Sequence, residues 1–479
     1  MSNHTPMLLF IVLSLLPCLP QHSQAQESEI RQRIGRKILV SANNRFLQYE
    51  DGEPFFWLGD TGWLLFEKLT REEAVRYLEN RKAKGFNVIQ CMLVPELPLA
   101  NVYGDSAFVE CDISRPRVTA GNSTNNAEQY DYWDHVEFVL DEAAKNGIRL
   151  ALVPLWGSVV KRPEIRVEQV AAYIGYLTQR FGSKLNIFWL NGGDIRGDAR
   201  PEIWKTIGST LRANDKNHLI TFHPFGRTQS AQWFHNASWL DFDMFQSGHR
   251  RYDQMKGEDV RSWKGEDSWR YVLEQYALQP PKPVLDGEPS YENIPQGLHD
   301  TTQPYWTAGD CRRYAYWSVF AGSFGHTYGD NAVMQMHKPG DQKRSYGAKN
   351  YWFEAIDDPG SFQMQYLARL MLSRPFPERV YDSTLVVDQS TRYEFIPATR
   401  GKSYLFAYTY TGRAFTLALG KISGKKIHAC WYDPRTGTSQ KIGIFDNVGT
   451  LRFQPPGKHQ NGNDWVLILD DVSKQYPLF

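Results

Sequence analysis

Two carboxylates stand out in this 479-residue chain by their type and setting. Asp194 ends the run Trp189-Leu190-Asn191-Gly192-Gly193-Asp194, and Glu288 ends Leu285-Asp286-Gly287-Glu288 just before Pro289. Two carboxyl groups flanking a bond are what hydrolysis of a glycosidic linkage requires. One protonates the leaving oxygen, and the other attacks the anomeric carbon or activates water. A separation of about 5 to 5.5 Å between them would imply retention of configuration. Either residue alone carries little weight. Asp at a strand end commonly caps a helix or forms a turn, and Asp198 or Asp286 could fill the same role. Whether the two act as a pair depends on the elements that place them.

From Phe55 onward, short apolar runs alternate with longer amphipathic stretches, the texture of repeated βα units around a parallel sheet. Eight runs, each apolar first and polar last, cover residues 55–61, 87–95, 149–157, 186–194, 219–224, 242–249, 283–289 and 322–330. Helical stretches separate them. Thr70 to Lys84 opens on a capping box, Thr70 with Glu73, and stops at Gly85; Tyr132 to Asn146 stops at Gly147. The pattern predicts an α/β fold, a (β/α)8 TIM barrel, whose catalytic residues sit at the C-terminal ends of the strands. Asp194 and Glu288 end the fourth and seventh runs, which face each other across the mouth of such a barrel. A doubly wound sheet is the rival, but no glycine-rich phosphate loop supports it.

The expected divisions are a signal peptide over 1–25, an N-terminal segment with a hairpin at Asp51-Gly52 over 26–54, the barrel over 55–377, and a C-terminal β-sandwich over 378–479. The last is read from short β-rich runs separated by Gly, Asp, Asn and Pro. Met7 to Leu16 is an apolar run half the length a membrane span needs, and Ser23-Gln24-Ala25 offers a cleavage site. The expectation is export to the periplasm or the medium, with no integral membrane segment left after signal removal. Cys91, Cys111, Cys311 and Cys430 would then remain, an even count that permits three pairings, although Cys91 could equally be a small buried hydrophobe.

Other polar strand ends offer a substrate site. Asp60 could accept sugar hydroxyls beside a stacking Trp63, or could cap the following turn; Trp156 offers a second platform. Asn191 could bind the hydroxyl next to the anomeric carbon. Gln246, Tyr291 and Tyr328 are rim neighbours, with Tyr291 able to orient Glu288. His223, His249 and His326 end the fifth, sixth and eighth runs and raise the question of a metal. No His-x-His, HExxH or paired Cys accompanies them, so hydrogen bonding to hydroxyls is the reading adopted. Lys161, Arg162, Arg196, Arg227, Arg250 and Arg251 also gather near strand ends and could pair with uronate carboxylates. The balance of 54 Lys+Arg against 53 Asp+Glu, a formal charge of +1, gives no field to hold nucleic acid.

The segments FFWLGDTGW, NGGD, DGEPSYE and GHTYG, followed by a C-terminal β domain, resemble the apiosidase-like barrels of glycoside hydrolase family 140 with their collagen-binding-type β domain. The resemblance covers nearly the whole mature chain. It implies a retaining enzyme that removes the branched furanose apiose from galacturonic acid in the pectin rhamnogalacturonan II. Asp194 would be the acid/base and Glu288 the nucleophile, with no metal or organic cofactor and a pectic oligosaccharide or polysaccharide as the partner. Asp194 stands where related barrels usually carry Glu. Two rivals stay open: another furanosidase, such as an arabinofuranosidase, or a catalytically silent glycan- or matrix-binding protein.

Overall fold

The computed structural model describes residues 33–254, 264–342 and 344–479, and the expected signal peptide lies outside them. A three-stranded antiparallel sheet comes first, β1 (Ile38–Val40), β2 (Leu47–Tyr49) and β3 (Pro54–Phe55). Its apolar face closes the N-terminal end of the barrel, where Phe55 meets Phe188 at 6.0 Å between ring centres.

The eight expected runs each form a strand: β4 (Trp57–Thr61), β5 (Val88–Met92), β6 (Arg149–Val153), β7 (Ile187–Ile195), β8 (Ile220–Pro224), β9 (Asp243–Phe245), β10 (Val284–Asp286) and β11 (Gly325–Thr327). Every pairing among them is parallel, in the order β8-β7-β6-β5-β4-β11-β10-β9. The two end strands meet, with Asp241 N donating to Ile220 O at 2.9 Å and Thr221 Oγ1 to Phe242 O at 2.6 Å. The result is a nearly closed (β/α)8 barrel. Covering helices include α1 (Arg71–Ala83), α2 (Tyr132–Lys145), α3 (Val167–Phe181), α4 (Pro201–Asn214), α5 (Ser268–Tyr276), α6 (Ala308–Ala321) and α7 (Pro359–Leu372). The capping box that starts α1 is present, with Thr70 and Glu73 bonded reciprocally, and Gly85 takes φ +79 beyond its end.

Strand side chains alternate between two cores, because successive residues point to opposite faces. Along β7, Phe188 and Leu190 join the barrel interior, while Ile187 and Trp189 join the layer between strands and helices. This parity decides which strand-end residues can reach the mouth.

The C-terminal domain has a six-stranded antiparallel sheet, in the order β12 (Val380–Tyr381), β13 (Ala398–Arg400), β14 (Tyr404–Thr409), β19 (Trp465–Asp471), β16 (Lys426–Asp433), β17 (Thr438–Asp446). A two-stranded sheet, β15 (Phe415–Ala418) with β18 (Thr450–Phe453), packs on one of its faces. Strand β14 is buried on both sides. Leu405 and Ala407 face the small sheet, and Tyr404, Phe406 and Tyr408 face the barrel. Helix α6 fills the junction and is buried almost all round, its apolar residues packed in the core and its buried Arg312 and Arg313 paired with Asp464 and Glu266. Tyr316 stacks on Tyr408 at 4.7 Å. Two bidentate pairs cross the same boundary: Arg312 to Asp464 at 2.8 and 2.7 Å, and Arg374 to Asp470 at 3.0 and 2.7 Å. Cys91, Cys111, Cys311 and Cys430 are all free thiols, so none of the three pairings forms. Among the described residues, no helix is long and apolar enough to cross a membrane.

Candidate active site

A cavity of about 500 Å3 opens at the C-terminal mouth of the barrel, and both Asp194 and Glu288 line it. The local backbone explains how Asp194 gets there. Beyond Gly192 the pairing of β7 with β8 slips, a bulge of the kind that re-aims side chains at barrel rims. Gly192 takes φ +90, Gly193 φ +122 and Asp194 itself φ +45. A Cβ on Gly192 would lie 2.5 Å from the carbonyl oxygen of His223, and one on Gly193 would lie 2.5 Å from Trp156 Cε3. Both glycines are therefore required by conformation and by space. Asn191 pins the turn: its side chain accepts from Gly192 N at 2.9 Å and donates to Trp204 O at 2.8 Å.

Glu288 sits between two imidazoles. His249 Nε2 donates to Oε1 at 3.1 Å, and His223 Nε2 lies 3.3 Å from Oε2 in a less aligned contact. On each ring Nδ1 accepts from a backbone amide at 3.4 Å, that of Asp194 for His223 and that of Tyr291 for His249. Those amides fix the tautomer in which Nε2 carries the proton and points at the carboxylate. Burial alone would raise the Glu288 carboxyl, but the two imidazoles outweigh it and hold it down at about 2. Asp194 shifts the other way. Burial, and then the nearby charge of Glu288, raise its carboxyl above the ordinary range. Two carboxyls in one cavity with affinities pushed apart are the signature of an acid and a base assigned by environment.

Trp63 and Trp156 form one wall, 5.2 Å apart at 54°, each packed near the His223 ring. Gln246 and Tyr291 also line the cavity; Gln246 Oε1 is buried there without a protein partner, and the Tyr291 hydroxyl faces Thr61 and Trp63. An unpartnered atom such as Gln246 Oε1 calls for a ligand's hydroxyl.

Five of the expected contacts are corrected. Asp60 lies on the outward face of β4 and is fully buried, accepting from Tyr77 at 2.7 Å and from Arg81 Nε at 2.5 Å on α1. Asn191 shares the outward face of β7 with Trp189 and is spent on the turn just described. His326 likewise points outward, 3.5 Å from Ser318 on α6. Tyr328 donates to the buried Glu292 at 2.6 Å. Arg196 is exposed outside the cavity, paired with Asp198 at 2.7 Å and lying over Trp233. With His326 turned away and the other two imidazoles committed to Glu288, the three histidines do not converge. Among the described residues, no cluster of three or more His, Cys, Asp or Glu is arranged to hold a metal.

Sequence reasoning misses several lining residues, among them Phe225, His299, Gln335 and Tyr346, while Arg227 and Arg250, legible there only as positive strand ends, also line the cavity. The first four lie outside the periodic runs, in connecting segments without a pattern to read.

Comparison with known proteins decides the family. The family model described as "Apiosidase-like, catalytic domain" matches residues 41–378. This chain belongs to the apiosidase-like family of glycoside hydrolases. A second model, "Putative collagen-binding domain of a collagenase", matches residues 380–470 of this glycosidase. Among solved structures, a glycoside hydrolase is 48% identical over 92% of this chain and 98% of its own, with a TM-score of 0.86. A glycoside hydrolase family 5 protein from Bacteroides vulgatus ATCC 8482 is 43% identical over 93% of this chain and 95% of its own, with a TM-score of 0.87. No curated protein matches the apiosidase-like chain.

Proposed function

We propose that this glycoside hydrolase is a retaining apiosidase of the family 140 type, cleaving the apiosyl linkage to galacturonic acid in rhamnogalacturonan II. The observation that carries the mechanism is the opposed tuning of Asp194 and Glu288 in one cavity. Glu288, ionised, attacks the anomeric carbon of the furanose. The bond from that carbon to the galacturonate oxygen breaks, and the oxygen takes the proton of Asp194. Asp194 then takes a proton from water, whose oxygen displaces Glu288 and leaves the sugar with its original configuration.

His223 and His249 hold Glu288 anionic and oriented during the attack, a role for which their backbone-fixed tautomer suits them. Trp63 and Trp156 offer faces for the sugar ring, and Gln246 and Tyr291 offer hydrogen bonds to its hydroxyls. Arg227 and Arg250 at the cavity wall suit the carboxylate of a uronic acid on the leaving side. The N-terminal apolar run supports export, where pectic fragments would be met. The test is incubation with rhamnogalacturonan II side-chain oligosaccharides beside an Asp194→Ala control, followed by chromatography. Release of apiose or an apiose-ended oligosaccharide by wild type alone is expected. No release, with cleavage of arabinofuranosides instead, would refute the substrate.

A further inference from the structure

One wall of the cavity is built on a strained backbone. Tyr346 sits in the tight turn Ser345–Gly347 after β11, with φ +53, a left-handed backbone that a bulky aromatic residue rarely adopts. Gly347 follows at φ +60, and a Cβ there would meet Thr301 Cγ2 at 2.5 Å, so the turn is pressed against the loop after β10.

The strain is held by a clamp that reads backbone rather than side chain. Buried Asn331 donates to Tyr346 O at 2.8 Å. Gln335 accepts from Ser345 N at 2.7 Å and donates to Ser345 O at 3.0 Å. Both clamp residues come from the segment that continues β11, so the turn is tied to a barrel strand. Left-handed non-glycine residues persist where surrounding structure over-determines them, and they gather at ligand sites. What the clamp presents is a half-buried tyrosine on the cavity wall beside His299, at 5.4 Å between ring centres.

We propose that Tyr346 is a specificity-determining residue whose phenol contacts the sugar at the point of cleavage. This rests on the reading of the cavity as a glycosidase site. Its position relative to the carboxylates supports the assignment: the phenol is raised by burial and then by the charges of Glu288 and Asp194, so it lies within electrostatic reach of both. A purely structural tyrosine would gain nothing from a strained backbone. One that must meet substrate from this loop accepts the strain as the condition of its placement.

The experiment pairs turnover with binding. In the active enzyme, Tyr346→Phe keeps the ring and loses the hydroxyl, and kcat/KM should fall about 10-fold, the effect of one lost hydrogen bond. Tyr346→Gly removes the ring and relieves the positive φ; kcat/KM should fall further while the melting temperature holds or rises. A structural residue would give the reverse, a lower melting temperature with activity lost in proportion to folded protein. In a Glu288→Gln background, which binds without cleaving, tryptophan fluorescence titration with pectic oligosaccharide should show Kd weakened about 10-fold by Tyr346→Phe. Wild-type cleavage with Kd and kcat/KM within two-fold for Tyr346→Phe would overturn the inference and leave the function standing. Absence of cleavage with a weakened Kd would sink the function and leave the contact standing.

Discussion

Replacing Gly193 by Ala tests whether the glycine pair aims the acid/base. At φ +122 any side chain is strained, and strain of this sort costs about 1–3 kcal/mol. The new methyl would also meet Trp156 Cε3 at 2.5 Å, an overlap whose relief costs about 1–3 kcal/mol more. Neither neighbour can absorb this harmlessly, since Trp156 forms the cavity wall and the next residue is Asp194. Relaxation therefore moves either the platform or the carboxyl, and a displacement of about 1 Å at a reacting group costs roughly 100-fold in rate. Gly52→Ala is the control. Gly52 has φ +89 in the turn between β2 and β3, a Cβ there would meet nothing within 4 Å, and the residue has no part in the mouth. It should lose about 1–2 kcal/mol of stability and keep kcat/KM within two-fold. Steady-state kinetics and thermal melting on both variants decide the matter. Gly193→Ala with more than half of wild-type kcat/KM, or Gly52→Ala with an equal loss of activity, would refute the reasoning.

Further outcomes follow from the same geometry. The pH profile of kcat/KM should fall on the alkaline side as Asp194 loses its proton above the ordinary aspartate range, because its raised affinity keeps it protonated below that point; the acid limb should lie low, toward the value of about 2 held by Glu288. An acid limb governed by Glu288 above 4.5 would contradict the role of its imidazoles. Asp60→Asn removes the partner of a fully buried Arg81 and should cost about 3–5 kcal/mol in chemical denaturation while folded enzyme keeps its KM; a raised KM with unchanged stability would return Asp60 to the substrate. Truncation after residue 378 exposes the barrel side of the junction and strands Arg312 and Arg374 without their carboxylates, so the product should be insoluble; a soluble and fully active barrel would show that the junction is dispensable.

The barrel was legible because its strands are buried on both faces and so read as apolar runs, with polar residues massed at one end. The same signal put Asp194 and Glu288 at the mouth. It failed at Asp60, Asn191 and His326 for one reason: each lies in the C-terminal part of its strand run, but parity turns it toward the helices. Residue type at a strand end gives height along the barrel axis, whereas facing depends on counting alternate positions from a known interior residue such as Trp57 or Leu190. Along β7 the count from Leu190 through Gly192 already turns Asp194 inward, and the bulge after Gly192 sets the angle at which it enters the mouth. Tyr346 and His299 were out of reach because their loops have no period, and their approach to the cavity depends on packing between segments distant in sequence. In the C-terminal domain, β17 leaves no apolar run to read because an edge strand exposes most of its side chains.

The claim at the centre of this account is that Glu288 forms a covalent bond to the sugar. Incubation with an activated 2-fluoro furanoside, followed by intact-mass analysis and peptide mapping, addresses it directly. The account predicts one added glycosyl unit on the peptide that contains Glu288, its absence in Glu288→Gln, and retained configuration in the first-formed product by NMR. An inverted product with no adduct, or an adduct on another carboxylate, would contradict it.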